Sequence, residues 1–361
     1  MSNLLVWAVR GLLALCLQIC CPAARFQKEE SVRRDPAYAV YETYRYAYER
    51  YGYLFSYAEE TGGEGTVAVG NRSWQGEDGN AGVADREQES TGADGMKTEQ
   101  TGAGSALSAS SLARLQDYDY LMKQYFSVHA STTADRGLMK VEKLLGTDVR
   151  LTKNPDVPQI LIYHTHASET YADYGPQNPD ASVAGAGSYL AELLRQRGWN
   201  VIHDTTAYDR KEGKLERSRA YTYALEGVQG ILQEHPTIEV ILDLHRDGVS
   251  DSLRLVQEIQ GKPTAKIMFF QGMSRTPEGE IAYLPNPYLQ ENLAFCFQMQ
   301  LACGRYPGFT RKIYLKGLRY NLHLRGRSSL IEAGAQTSTK EEVWNAMELL
   351  AEAADSVLQG E

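Results

Sequence analysis

QILIYHTHASET, residues 159–170, is an unbroken apolar run that ends abruptly in His164, His166 and Glu169. A short run rich in Ile, Leu and Tyr reads as a strand buried on both faces, which is the mark of a parallel sheet covered by helices. Two further runs repeat the pattern. EVILDLHRDG (239–248) ends in Asp243, His245 and Asp247, and SLIEAG (329–334) carries Glu332. NVIHD (200–204) and AKIMFF (265–270) add two more strands, and helical periodicity covers 189–197, 218–233, 288–302 and 340–358. Strand and helix in alternation predict an α/β fold, a three-layer αβα arrangement with a mostly parallel central sheet. Thr339 followed by Glu342 is a capping box, and Val343, Met347, Leu350, Ala354 and Val357 form one apolar stripe behind it. LRLVQEIQGKP (253–263) reads as a hairpin at the sheet's edge.

Ligands of such sheets bind beyond the carboxyl ends of the strands, where three of these runs place acid–base and metal-ligating groups. A catalytic zinc takes three ligands from His, Asp or Glu and keeps one position open for water. His166, Glu169 and His245 supply that set. Glu332, at the end of an apolar strand, is the candidate general base, because a carboxylate buried there without a use is costly. Alternation puts His164 on the same side as His166, so it either replaces His166 as ligand or stands beside the metal as a catalytic donor. Asp243 and Asp247 flank His245 and are candidates to orient its second ring nitrogen. The irregular run 306–324 adjoins the strand ends, and its Arg319, Asn321 and His323 are candidate substrate contacts.

The chain has 361 residues and a net charge of −9. Residues 59–110 are rich in Gly, Ser, Thr and acidic side chains and read as a disordered linker. Most of the net charge falls there, so the remainder is nearly neutral and lacks the basic stripe that nucleic acid demands. Leu4 to Ala24 is apolar apart from Arg10 and Gln18, which predicts a membrane anchor over 1–26, with a cleaved signal as the competing reading. Tyr41, Tyr44, Tyr48 and Tyr51 recur at helical spacing in a juxtamembrane segment, 27–58. A lead-in segment, 111–158, precedes the catalytic domain, 159–361. Cys296 and Cys303 lie two helical turns apart, roughly 10 Å, too far to bridge, and read as core thiols.

ILIYHTHASETY, ILDLHRDGV, YPG, IYLKGLRYNLHL and LIEAGAQTST, in that order, strongly resemble the stage II sporulation protein P family, over roughly Leu112 to Leu358. The resemblance implies a peptidoglycan hydrolase of forespore engulfment that cleaves the N-acetylmuramoyl-L-alanine amide bond and, as an endopeptidase, peptide cross-links. It implies a fold similar to the zinc N-acetylmuramoyl-L-alanine amidases, which use a His, a Glu, a His and a separate catalytic Glu. Laid on this sequence, their first ligand is His166; their second comes later in the chain than Glu169. It also implies a single-pass membrane protein with its catalytic domain outside the cytoplasm, and stage II sporulation proteins D and M as partners. Two other readings compete: a zinc carboxypeptidase-like enzyme trimming wall peptides, and a wall-binding scaffold that has lost catalysis, against which the intact set of His166, His245 and Glu332 argues.

Overall fold

The computed structural model describes residues 108–361. The expected anchor, the Tyr-rich segment and nearly all of the acidic linker lie outside the described residues. No helix among the described residues is long and apolar enough to cross a membrane.

Seven strands form one sheet: β1 (Phe126–Val128), β2 (Ile160–Tyr163), β3 (Val201–His203), β4 (Val240–Asp247), β5 (Ile267–Gly272), β6 (Ile313–Lys316) and β7 (Ser328–Ala335). Their order is β1-β6-β5-β7-β4-β2-β3. Every neighbouring pair is parallel except β5 and β7. The sheet is therefore two parallel blocks joined back to back, and β2, β4 and β7, the three strands with chemically loaded ends, all belong to the same block. The fold is mixed α/β with a mostly parallel central sheet.

Period-2 alternation separates the two faces. Ile160, Ile162, Val240, Leu242, Leu244, Phe269, Ile331 and Ala333 point one way into the main core. Helices α3 (Val141–Gly146), α4 (Val183–Gln196), α6 (Leu289–Cys303) and α7 (Lys340–Gln359) cover that face, and the N-terminal α1 (Ala109–Leu115) and α2 (Tyr118–Tyr125) add Leu115 and Leu121 to the same core. Leu161, Tyr163 and Ile241 point the other way, against Ala224, Val228 and Leu232 of α5 (Ala220–Glu234). Phe270 and Leu330 share that second face and are closed over by Leu322 and Tyr320 of the loop before β7. Burying one Leu or Ile side chain in either layer contributes about 1.5–3 kcal/mol.

The capping box is present, with Thr339 accepting from the Glu342 N–H and Glu342 reaching back to the Thr339 N–H at 2.9 Å. All five residues of the α7 stripe are buried. Cys296 and Cys303 are buried free thiols. Three expectations need correction. Residues 256–259 and 262–265 do form a hairpin, but as a separate two-stranded ladder beside α7 and not at the edge of the main sheet. The run 306–324 is not irregular throughout, since β6 lies inside it and pairs with β1 on one side and β5 on the other. Helix α4 begins at Val183, six residues before the expected start, with the Ser182 hydroxyl accepting from Gly185 N–H at 3.1 Å. That early turn contains Gly187, whose place is dictated by close approach: a Cβ there would lie 2.6 Å from His164 Nε2 and 2.7 Å from His203 Nε2.

Candidate metal centre

The second face carries the candidate site. Register pairs Tyr163 of β2 with Asp243 of β4, and His245 of β4 with Glu332 of β7. Asp243, His245 and Glu332 share the parity of Ile241 and Leu330, so they emerge on the α5 side, where the sheet ends beyond the helix. The chain leaves β2 at Tyr163 and turns, which brings His166 and Glu169 over the end of β4.

Two buried carboxylates hold that turn. Asp243 accepts from the Thr165 N–H at 2.8 Å and the Thr165 hydroxyl at 2.6 Å, and Asp209 accepts from the Ser168 N–H at 3.2 Å and from its hydroxyl. Asp243 also lies 2.8 Å from His245 Nε2, which leaves Nδ1 as the nitrogen turned toward Glu169. Glu169 sits between the two imidazoles, its Oε1 3.6 Å from His166 Nδ1 and its Oε2 3.7 Å from His245 Nδ1. The Arg246 N–H donates to Glu169 Oε2 at 3.2 Å.

The ligand atoms of His166, Glu169 and His245 all lie within 4.8 Å of one another. Tetrahedral ligands each ~2.1 Å from a metal stand ~3.4 Å apart, and the two imidazole–carboxylate separations, each to a different oxygen of Glu169, approach that value. Two imidazoles and one carboxylate are a donor set of catalytic zinc sites, and the Asp243 contact on the remote nitrogen of His245 is the outer-shell partner such ligands usually have. The residues present fit the group.

Electrostatics follow from burial and proximity. Burial alone would lower the pKa of His245, but the Asp243 carboxylate, with Glu169, outweighs it and raises the pKa to about 10. Burial would raise Glu169, yet the neighbouring imidazoles and the Arg246 N–H hold it below the ordinary carboxylate range. Glu332 goes the other way. Burial is the main cause, His245 opposes it, and the negative fields of Asp247, Glu169 and Asp243 reinforce it, so its pKa rises to about 8. Its Oε2 is sequestered without a hydrogen-bond partner. A carboxyl group poised near neutrality, beside the metal set and with a free oxygen, has the properties of a general acid–base.

Other expected site residues fall elsewhere. His164 is not part of the cluster. It has the parity of Ile160 and Ile162, and because the strand ends at Tyr163 the alternation does not carry on to His166. Its imidazole is fully buried under α4, with Nδ1 2.8 Å from the Leu244 carbonyl and Nε2 2.9 Å from His203 Nε2. Asp247 does not orient His245 either; it forms an ion pair with Arg311 and accepts from the Gly248 N–H at 2.8 Å. Asn321 is buried and its amide donates to the Tyr221 carbonyl at 2.8 Å, which ties its loop to the start of α5. Arg319 donates to the Pro285 carbonyl at 3.3 Å. His323 has a sequestered Nδ1, and burial together with Arg319 pushes its pKa well below the ordinary value.

Several contributors carried no sequence signal. The Tyr221 ring meets His166 at 5.7 Å, edge to face, and Tyr320 bridges Tyr221 and Phe270 at 5.4 and 4.8 Å. Tyr320 and Asn321 both take left-handed φ values, 49° and 57°, a costly pair for residues other than glycine. The loop reaches there by packing on Gly272, where a Cβ would stand 2.4 Å from the Leu318 carbonyl oxygen. Arg217 approaches Glu169 at 3.8 Å from the turn that precedes α5.

Among solved structures the chain is similar to the N-acetylmuramoyl-L-alanine amidase AmiC2 of Nostoc punctiforme, at 11% identity over 57% of this chain and 97% of that one, with a TM-score of 0.34. It is similar too to the N-acetylmuramyl-L-alanine amidase of Mycobacterium smegmatis (9% identity, 57% and 99% covered, TM-score 0.33). The N-acetylmuramoyl-L-alanine amidase from Clostridium difficile 630 is a third (12%, 56% and 96%, 0.33). Likeness at these scores bears no weight for activity. No curated protein matches the chain. The family model of stage II sporulation protein P (SpoIIP) matches residues 71–355, most of the chain and all the strands and helices that build the centre. The chain therefore belongs to the stage II sporulation protein P family.

Proposed function

We propose that the chain is a metal-dependent peptidoglycan hydrolase of sporulation that cleaves the amide between N-acetylmuramic acid and L-alanine, with zinc as its metal. The observation that carries the reading is the meeting of His166, Glu169 and His245 at the strand ends with Glu332 in register beside His245. Membership of the sporulation family supports the coarse part, a hydrolase acting on peptidoglycan. An endopeptidase activity on cross-links, the engulfment setting, an N-terminal membrane anchor and proteins D and M as partners belong to the same reading as its finer parts.

His166, Glu169 and His245 would hold the ion, and Asp243 keeps His245 turned so that Nδ1 faces it. Bound there, zinc would supply an activated water at neutral pH and polarise the scissile carbonyl. Glu332 accepts the proton of the attacking water and returns it to the nitrogen of L-alanine as the carbon–nitrogen bond breaks, which leaves a muramic carboxylate and a free amine. The raised pKa of Glu332 suits both halves of that task, since it gives up its proton as readily as it takes one near neutral pH.

Incubating the full chain with isolated peptidoglycan, with and without added zinc, and identifying soluble products by mass tests this. Zinc-dependent release of stem peptides with free L-alanine amino ends is expected. Release of single terminal amino acids instead, or no release by folded, zinc-loaded protein, would overturn it.

A further inference from the structure

Among the described residues at the rim of the centre, Arg217 is a cation that neither the fold nor the mechanism above employs. Its side chain is 48% exposed and its Nη1 lies 3.8 Å from Glu169 Oε1, beyond hydrogen-bond reach. The neighbouring Arg219 behaves differently: it pairs with Glu216 at 3.7 Å and lies over the Tyr223 ring at 5.0 Å. Arg217 has only the long ion pair to Glu169.

Its position works against the metal set. Once Glu169 serves a divalent ion, a guanidinium beside that carboxylate repels the ion, and a half-exposed pair with Glu169 returns little stability. The arrangement makes sense if an anion arrives with the substrate. The opening of the site agrees, because the side chains of Glu169 and His245 are 7% and 4% exposed, against 19% for His166 and 48% for Arg217. Arg217 therefore stands on the solvent-facing side of the centre.

We propose that Arg217 binds a free carboxylate of the substrate adjacent to the scissile amide, and so sets specificity for an acidic peptide. Resting on the reading of the substrate as a wall peptide, the group is a carboxylate carried by the residue that follows L-alanine. A planar guanidinium with its donors unspent matches a carboxylate in bidentate fashion. Stabilising the oxyanion of the reaction is the weaker match, because that task needs donors fixed in advance, and Arg217 is half-exposed and held only by that long ion pair.

The test uses the full chain and two muramoyl dipeptides that differ only in carrying a carboxylate or a carboxamide on the second residue. Kinetics are measured with zinc, and equilibrium binding is measured by calorimetry on metal-free protein. The wild type is expected to show a KM about tenfold lower for the acid, the scale of one charge-assisted pair. Arg217→Gln should raise KM for the acid by that factor, leave the carboxamide unchanged and keep kcat within about twofold, while Arg217→Lys retains part of the preference. An equal fall in kcat on both ligands, or an unchanged acid-to-amide ratio, overturns the proposal. If neither ligand is hydrolysed, the binding data decide alone: acid-selective binding lost in Arg217→Gln upholds Arg217 and sinks the amidase reading, whereas binding without acid preference sinks the role of Arg217.

Discussion

Two pairs of histidines lie on opposite faces of one sheet, and their rings have nearly the same relation. His164 and His203 stand 5.1 Å apart at 88°, His166 and His245 5.1 Å apart at 79°. What differs is the company each pair keeps. On the helix-covered face, His164 Nδ1 must carry its proton to meet the Leu244 carbonyl, so its Nε2 accepts from His203, and Ser188 lies 3.3 Å from the remaining nitrogen of His203. That chain is closed, neutral and without a carboxylate bonded to either ring. Across the sheet, a carboxylate separates the two rings and another lies against the far side of His245, which leaves inward nitrogens facing one point. What sets the candidate metal ligands apart from the sealed pair is the charge around the imidazoles, not their mutual geometry.

Substitutions on the two faces should therefore fail differently. Glu332→Gln removes the proton carrier and should lower turnover by about 10³-fold with zinc content unchanged, read by product release and metal analysis. In the metal-free protein the same change should help at alkaline pH. The folded-state pKa of about 8 lies above the ordinary 4.5, so the folded state holds a proton that the unfolded chain releases, and stability falls as pH rises from 4.5 through 8. Glu332→Gln should flatten that fall in a Tm-against-pH series.

Asp243→Asn keeps the shape but not the charge behind His245. A loss of about 10–100-fold in zinc affinity is expected by competition with a chromophoric chelator, and intact affinity would count against Asp243 as the orienting group.

His203 tests the other face. Burial, helped by the His164 ring and Arg195, lowers its pKa to about 4, below the ordinary 6.5. Protonation is then easier in the unfolded chain, so the neutral pair's stability is complete above pH 6.5 and is lost as pH falls toward 4. Allowing for partial exposure, the loss is about 2 kcal/mol, and His203→Gln should reduce the slope of Tm in that window without moving zinc affinity at pH 7.5. Smallest of all, Thr339→Ala removes the cap of α7 and should cost about 1 kcal/mol in denaturant unfolding, with no change in zinc binding.

The strands β2, β4 and β7 were legible because each is a run of buried aliphatics that no helix pattern explains, and α7 because its cap and stripe agree. The strands β1 and β6 were not. Unlike the continuously buried β2, they alternate buried with part-exposed positions in stretches too short to show a period, and they are strands because a neighbour supplies their hydrogen bonds. The start of α4 was hidden for a related reason: VAGAGS is a poor helix by propensity, and its small residues answer to the histidine pair beneath.

Local order in the sequence was enough to predict an α/β sheet, the strand ends that carry its chemistry, and the types of residue gathered there, because hydrophobic period and residue chemistry are local properties. Which imidazole faces the metal set and which is sealed under a helix was decided only by where β2 stops, since one residue of strand more or less reverses a side chain's face. The company of Arg217 with Glu169 and of Asp243 with Thr165 spans 48 and 78 residues of chain and exists only because the fold brings those segments together.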